Sequence, residues 1–339
     1  MKHRRLGKTD LNVSAIGLGC GRLGSVTQTG GAQAALRLIG CALDAGINFF
    51  DTADIYGQGA SESLLAKALQ GRREKVVITT KAGFCLSPLG HIARRVKPLL
   101  RRLIRARPGF SQSVQKVRAA QNRQDFSTPY LARCVEASLR RLRADALDVF
   151  MLHSPPTEVL QRGEVFQTLE TLKRQGKVRH YGVSCRRASD ATLCLTQPGV
   201  SVLQLELNLL TPDAIKHELP AAKAKGVGVV ARQALAGGVL LRTSAELRPE
   251  HCASRDEDFS ELKFRLQRLE QIAAQTGSSL PQLAVQFLLQ LEEISTVLIG
   301  TTTAEHLQAH LPVMDWPALS EEVLAGIASV VRSGAAAPR

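Results

Sequence analysis

The sequence predicts an α/β fold in which eight parallel strands alternate with helices and close into a (β/α)8 TIM barrel. Two observations predict it. Short β-rich runs alternate with longer stretches whose apolar residues recur at helical spacing, the pattern of βαβ units around a parallel sheet. The composition, 44% hydrophobic and 22% charged over 339 residues, is that of a chain with a large core, not of a disordered one.

The elements follow in order. Residues 4–6 and 12–14 flank Gly7-Lys8-Thr9-Asp10 and read as a β-hairpin placed to plug the bottom of the barrel. Barrel strands are expected at 15–19, 47–51, 76–80, 148–153, 178–184, 202–207, 227–231 and 295–299. Between them, apolar sets such as Leu131, Val135, Leu139 and Leu142, or Phe166, Leu169 and Leu172, mark helices. The expectation is one domain over 1–339, with an insertion at about 84–127 after the third strand and a C-terminal helix and tail at about 316–339.

No apolar run approaches the ~18 uncharged residues of a membrane helix, and Met1-Lys2-His3-Arg4-Arg5 has no apolar stretch behind it. Seven cysteines form no C-x-x-C pair, so neither a disulfide framework nor a metal site is expected. These features point to a cytoplasmic protein with reduced thiols and no membrane span. The formal charge is +14, and much of the excess lies between His91 and Arg123, where there is no acidic residue. Charge alone admits nucleic acid, membrane surface or anionic small molecules as partners. Nucleic acid is not expected, since no recognition module is present and aromatic residues make up only 4%. Oligomeric state has no signature.

Within the insertion, Ile92, Val96, Leu99, Leu100 and Leu103 follow helical spacing while Arg94, Arg95, Arg101, Arg102 and Arg105 fall largely on other faces, with a bend or restart at Pro98. Three readings stand side by side: a lid that attracts an anionic substrate, a patch for a membrane surface or acidic partner, and a solvated helix docked on the barrel.

In a barrel of this kind active sites lie at the C-terminal ends of the strands. Those ends carry Asp51 with Tyr56 beyond it, Lys81, His153, Ser184 with Cys185, Arg232 with Gln233, and Gly300 with Thr301. Taken singly, such a Tyr, Lys or His is an ordinary loop or core residue. Taken jointly and in barrel order, they indicate chemistry.

Asp51-Thr52-Ala53-Asp54-Ile55-Tyr56-Gly57, Thr80-Lys81, Leu152-His153 and Gly182-Val183-Ser184, with Arg4-Arg5-Leu6-Gly7-Lys8-Thr9 and Gly176-Lys177-Val178, resemble the aldo-keto reductase family from the hairpin to about residue 315. The resemblance implies an NAD(P)H-dependent oxidoreductase that interconverts a carbonyl and an alcohol. Tyr56 would be the proton donor, Lys81 the ammonium that lowers its pKa, Asp51 the partner of Lys81, and His153 the group that orients the carbonyl oxygen.

For the cofactor the resemblance implies Cys20, Gly21, Asp51, Ser184, Cys185 and Gln204, then Arg232 as a stacking residue beside Gln233. Leu235, Gly237 and Leu240 belong to the loop over the pyrophosphate, and Gly300, Thr301, Thr302 and His306 form the phosphate segment. Cys185 stands where the family has Asn, and Ala309 and His310 replace an acidic-Asn pair. NADP(H) is the cofactor the resemblance favours, with NAD(H) as the alternative. The substrate it implies is a small carbonyl compound, and the arginines suggest an anionic or sugar-like one. Two further readings are a cofactor-retaining enzyme of internal redox chemistry and a nucleotide-binding regulatory subunit, like the potassium-channel β subunits that resemble this family.

Overall fold

The computed structural model describes residues 1–25, 30–85, 123–252 and 258–333. The basic helical segment read at 91–105 and the end of the C-terminal tail lie outside the described residues. Strands β1 (His3–Arg5) and β2 (Asn12–Ser14) form the hairpin. The barrel comprises β3 (Ile16–Gly19), β4 (Phe49–Asp51), β5 (Val77–Ala82), β8 (Leu147–His153), β9 (Val178–Ser184), β10 (Val200–Glu206), β11 (Gly228–Arg232) and β12 (Ile294–Gly300). These eight pair in parallel in that order, and β12 closes on β3. The fold is therefore the (β/α)8 barrel that the alternation predicts. A short antiparallel pair, β6 (Phe84–Cys85) with β7 (Arg123–Gln124), follows the third barrel strand.

Two apolar layers hold the barrel. Inside it, Phe49, Val77, Val149, Met151, Val202, Val230 and Leu298 meet Leu6, Leu11 and Val13 of the hairpin, which thereby plugs the lower end. The turn can press this close only because residue 7 is glycine: its φ is +59°, and a Cβ there would lie 2.3 Å from the Gly228 nitrogen. Outside, helices bury one stripe against the strands. In Glu164–Arg174 this stripe is Val165, Phe166, Leu169 and Leu172, and in Thr128–Leu142 it includes Leu131, Val135 and Leu142. Among the described residues no helix is long and apolar enough to cross a membrane.

One boundary differs from the sequence reading in a way that matters for the site. The third barrel strand runs on to Ala82, because Lys81 and Ala82 still pair with Met151 and Leu152 of β8. Lys81 is thus a strand residue, its side chain 1% exposed, rather than a solvated residue following a strand.

Candidate active site

Strand register brings the polar strand ends together. Gly19 lies opposite both Asp51 and Gly300, His153 opposite Ser184, and Ser184 opposite Gln204. Lys81 Nζ donates to Asp51 Oδ1 at 2.7 Å and to the Thr52 carbonyl at 2.8 Å. Gln204 Nε2 donates to the same Asp51 oxygen at 2.7 Å, and its Oε1 accepts from Ser184 Oγ at 2.9 Å. The Lys81 ammonium sits 5.1 Å from the centroid of the Tyr56 ring, and Tyr56 meets the His153 ring edge to face at 5.7 Å. Removing either partner of a buried, hydrogen-bonded pair such as Lys81–Asp51 costs about 3–5 kcal/mol, because the other charge is left uncompensated.

The electrostatics differ from the sequence expectation at one point. Burial raises the Tyr56 pKa above its ordinary value, and the opposing effect of Lys81 is the smaller of the two. For Lys81, burial pulls down, but Asp51 and Tyr56 together outweigh it and the net direction is up, so the ammonium stays charged. Burial, with Lys81 and Arg232 nearby, holds His153 well below the usual imidazole range, so its ring is neutral near pH 7. His153 lines the pocket, and its Nδ1 is buried with no hydrogen-bond partner among the described residues.

The pocket above these residues has a volume of about 490 Å³. Its wall includes Gly21, Arg22, Asp51, Tyr56, His153, Ser154, Ser184, Gln204, Arg232, Gln233, Leu235, Gly237, Gly238, Leu241 and Gly300.

The sequence profile described as "Aldo/keto reductase family" matches residues 15–332. The chain belongs to the aldo/keto reductase family. Its members are oxidoreductases that act on small carbonyl compounds with nicotinamide cofactors. This reductase is 27% identical over 333 residues to the uncharacterized oxidoreductase YqkF of Bacillus subtilis (strain 168), covering 97% of this chain and 96% of that protein. It is 29% identical over 318 residues to the L-galactose dehydrogenase of Arabidopsis thaliana, covering 91% and 86%. Its structure is similar to the holo form of aldo-keto reductase AKR11C1 from Bacillus halodurans, with a TM-score of 0.76, 27% identity and coverage of 97% and 96%.

The residues of the reductase's pocket fit a flat heteroaromatic ring with a diphosphate tail. A Cβ at Gly300 would meet nothing within 4 Å, so that wall is open space. Gly237 and Gly238 have φ of +69° and +99°, left-handed conformations that favour glycine and let this turn border the pocket. Arg232 is fixed in plane by Glu206 Oε2 at 3.1 Å and the Cys185 carbonyl at 3.2 Å.

Not every residue singled out in the sequence reaches this pocket. Cys20 and Leu240 are fully buried. Cys185 is 1% exposed, with its thiol turned to the Val183 carbonyl as core packing, and its main-chain carbonyl accepts from Arg232. Beyond the pocket, Thr301 Oγ1 bonds the main chain of Thr303, and Thr303 caps the short helix Ala304–Gln308 that carries the exposed His306. Sequence reasoning missed Arg22, Ser154 and Leu241. Arg22 was findable, since it follows Gly21 directly after a strand end. Leu241, 57% exposed at the pocket mouth, carried no chemical signal.

Behind the Tyr56 turn lies a second polar cluster. Glu62, fully buried, accepts from Thr80 Oγ1 at 2.7 Å and from Arg141 Nε at 2.5 Å. Asp54 lies near it with Oδ1 buried and unpartnered; burial, and then Glu62, push its pKa up to about 7. As pH rises from the ordinary carboxylate range to about 7, the unfolded chain gives up a proton that the folded chain keeps, so ionisation of Asp54 costs the fold stability. Asp54→Asn is therefore expected to raise the Tm relative to wild type at pH 8 and to change it little at pH 4, as read by thermal unfolding at both pH values.

Proposed function

We propose that this reductase interconverts the carbonyl of a small aldehyde, ketone or sugar with the corresponding alcohol, with Tyr56 as the proton donor. The observation that carries the reading is the convergence of Asp51, Tyr56 and His153 on one pocket wall, with Lys81 buried behind them, bonded to Asp51 and 5.1 Å from the Tyr56 ring. When bound, a reduced nicotinamide supplies hydride to the carbonyl carbon. Ser184 and Gln204 would hold its carboxamide, Arg232 would stack on its ring, and the 235–241 turn would border the diphosphate.

The chain's own groups then handle the oxygen. His153, neutral and protonated at Nε2, donates a hydrogen bond to the carbonyl oxygen and fixes its direction. Tyr56 Oη gives that oxygen its proton as negative charge develops. Lys81 stabilises the phenolate left behind, and Asp51 keeps Lys81 charged and in place. In the reverse direction the phenolate takes the alcohol proton.

For the cofactor, the family resemblance favours NADP(H). NAD(H) is the second reading, and a specific observation supports it: the segment 300–307 offers the hydroxyls of Thr301, Thr302 and Thr303 and His306 where a 2′-phosphate would call for Arg or Lys. Fluorescence titration with NADPH and NADH decides between them by the ratio of the two dissociation constants. Cys20, Cys134, Cys185 and Cys194, all buried as core packing, suit work in the reducing cytoplasm.

Arg22 supports an anionic carbonyl compound, or a sugar that carries an anionic group. It lines the pocket and faces no carboxylate among the described residues, whereas Arg232 is already paired with Glu206. Arg22→Ala is expected to raise KM for an anionic carbonyl roughly five- to tenfold, the scale of a partly exposed charge-assisted hydrogen bond. KM for a neutral carbonyl and Kd for the cofactor should stay put. Equal effects on both substrates would show that Arg22 reads no substrate charge, and a weaker cofactor alone would assign it to the diphosphate.

A further inference from the structure

The β6–β7 stem, from which the insertion departs, touches the catalytic wall at two points. Phe84 pairs with Gln124 across the stem. The Phe84 ring meets the His153 ring edge to face, with centroids 4.8 Å apart and planes at 87°. Gln124 Nε2 donates to the Ser154 carbonyl at 2.9 Å and, at longer range, to the His153 carbonyl at 3.4 Å. Ser154 has a φ of +52°, a left-handed conformation that a non-glycine residue keeps only when its surroundings impose it. Two bonds do so here: Gln124 holds its carbonyl, and its own N–H donates to the Ser184 carbonyl at 2.9 Å. The stem is itself anchored, since Tyr130 Oη donates to the Phe84 carbonyl at 2.9 Å and the Asp125 N–H donates to the Gly83 carbonyl at 2.9 Å.

A working histidine is normally aimed by a hydrogen bond on its second nitrogen. His153 has none among the described residues, where Nδ1 is buried and unpartnered. What fixes the ring is shape: Phe84 on one side, Tyr56 on another, and a main chain pinned through Gln124. We propose that Phe84 and Gln124 are positioning residues for His153, so that the stem of the insertion is part of the apparatus that aims Nε2 at the substrate oxygen. This rests on the reading of His153 given above.

The test is a double-mutant cycle in the full chain, with kcat, carbonyl KM and cofactor Kd measured for F84L, F84Y, Q124A, H153Q and F84L/H153Q. A misaimed group lowers the rate more than the binding, so F84L should reduce kcat roughly tenfold while KM and Kd hold. F84Y, which keeps the ring edge, should restore the rate, and Q124A should act in the same direction as F84L. Because Phe84 works through His153, F84L should add nothing in the H153Q background. Losses that multiply in the double variant, or a normal kcat in F84L beside a large loss in H153Q, would overturn the proposal while leaving the role of His153 intact. A normal kcat in H153Q would overturn both. The imidazole NMR signals of His153 in the substrate-free protein give a readout independent of turnover: they should shift and broaden in F84L and return in F84Y. Signals unchanged in F84L would also overturn the proposal.

Discussion

Tyr56→Phe lowers kcat by about 10²- to 10⁴-fold, the usual contribution of a positioned general acid, and leaves cofactor Kd unchanged. The substitution removes one oxygen from a ring whose packing against His153 and the Lys81 ammonium otherwise persists. Pocket shape and the Ser184–Gln204–Asp51 chain are untouched, so binding and chemistry separate cleanly. Steady-state rates with fluorescence titration of the cofactor check it. Turnover at the wild-type rate would show that the proton comes from elsewhere.

Lys81→Met has the second large effect, and it acts on three observables together. The Asp51 carboxylate, 5% exposed, keeps Gln204 but loses its counter-charge, so stability falls by about 3–5 kcal/mol. Tyr56 loses the group that opposes its burial, and a pKa already above its ordinary value rises further. The phenolate that alcohol oxidation needs then forms only at higher pH, so the rising limb of the oxidation profile moves alkaline. Reduction slows too, because a weaker acid donates its proton more reluctantly. Thermal unfolding and pH–rate profiles in both directions check these outcomes. A profile that keeps its position would mean that Lys81 does not couple to Tyr56.

Much of this arrangement was legible in the sequence because it depends on strand ends. Asp51, His153 and Ser184 close runs of β-rich residues, and in a parallel barrel every such end faces the same side. The hairpin plug was legible for a similar reason: Leu6 and Val13 flank a turn with glycine where the backbone has to double back. The direction of the Tyr56 pKa was not legible, because it depends on how much protein surrounds the ring, and a motif does not encode burial. Nor was the fate of Cys185. A strand-end position suggests the pocket, yet the thiol turns into the core. The Phe84–His153–Gln124 contacts needed the fold itself, since residues 84, 124 and 153 meet only once β5, β8 and the stem are assembled.

The most direct test of the account is the absorbance of reduced nicotinamide on mixing wild-type protein with NADPH or NADH and a panel of neutral and anionic aldehydes, ketones and sugars. Consumption of the cofactor, matched mole for mole by alcohol, is expected with at least one carbonyl compound of the panel. Tight cofactor binding with no consumption on any of them would contradict it, and would point instead to a nucleotide-binding regulatory subunit or to redox chemistry internal to one bound substrate.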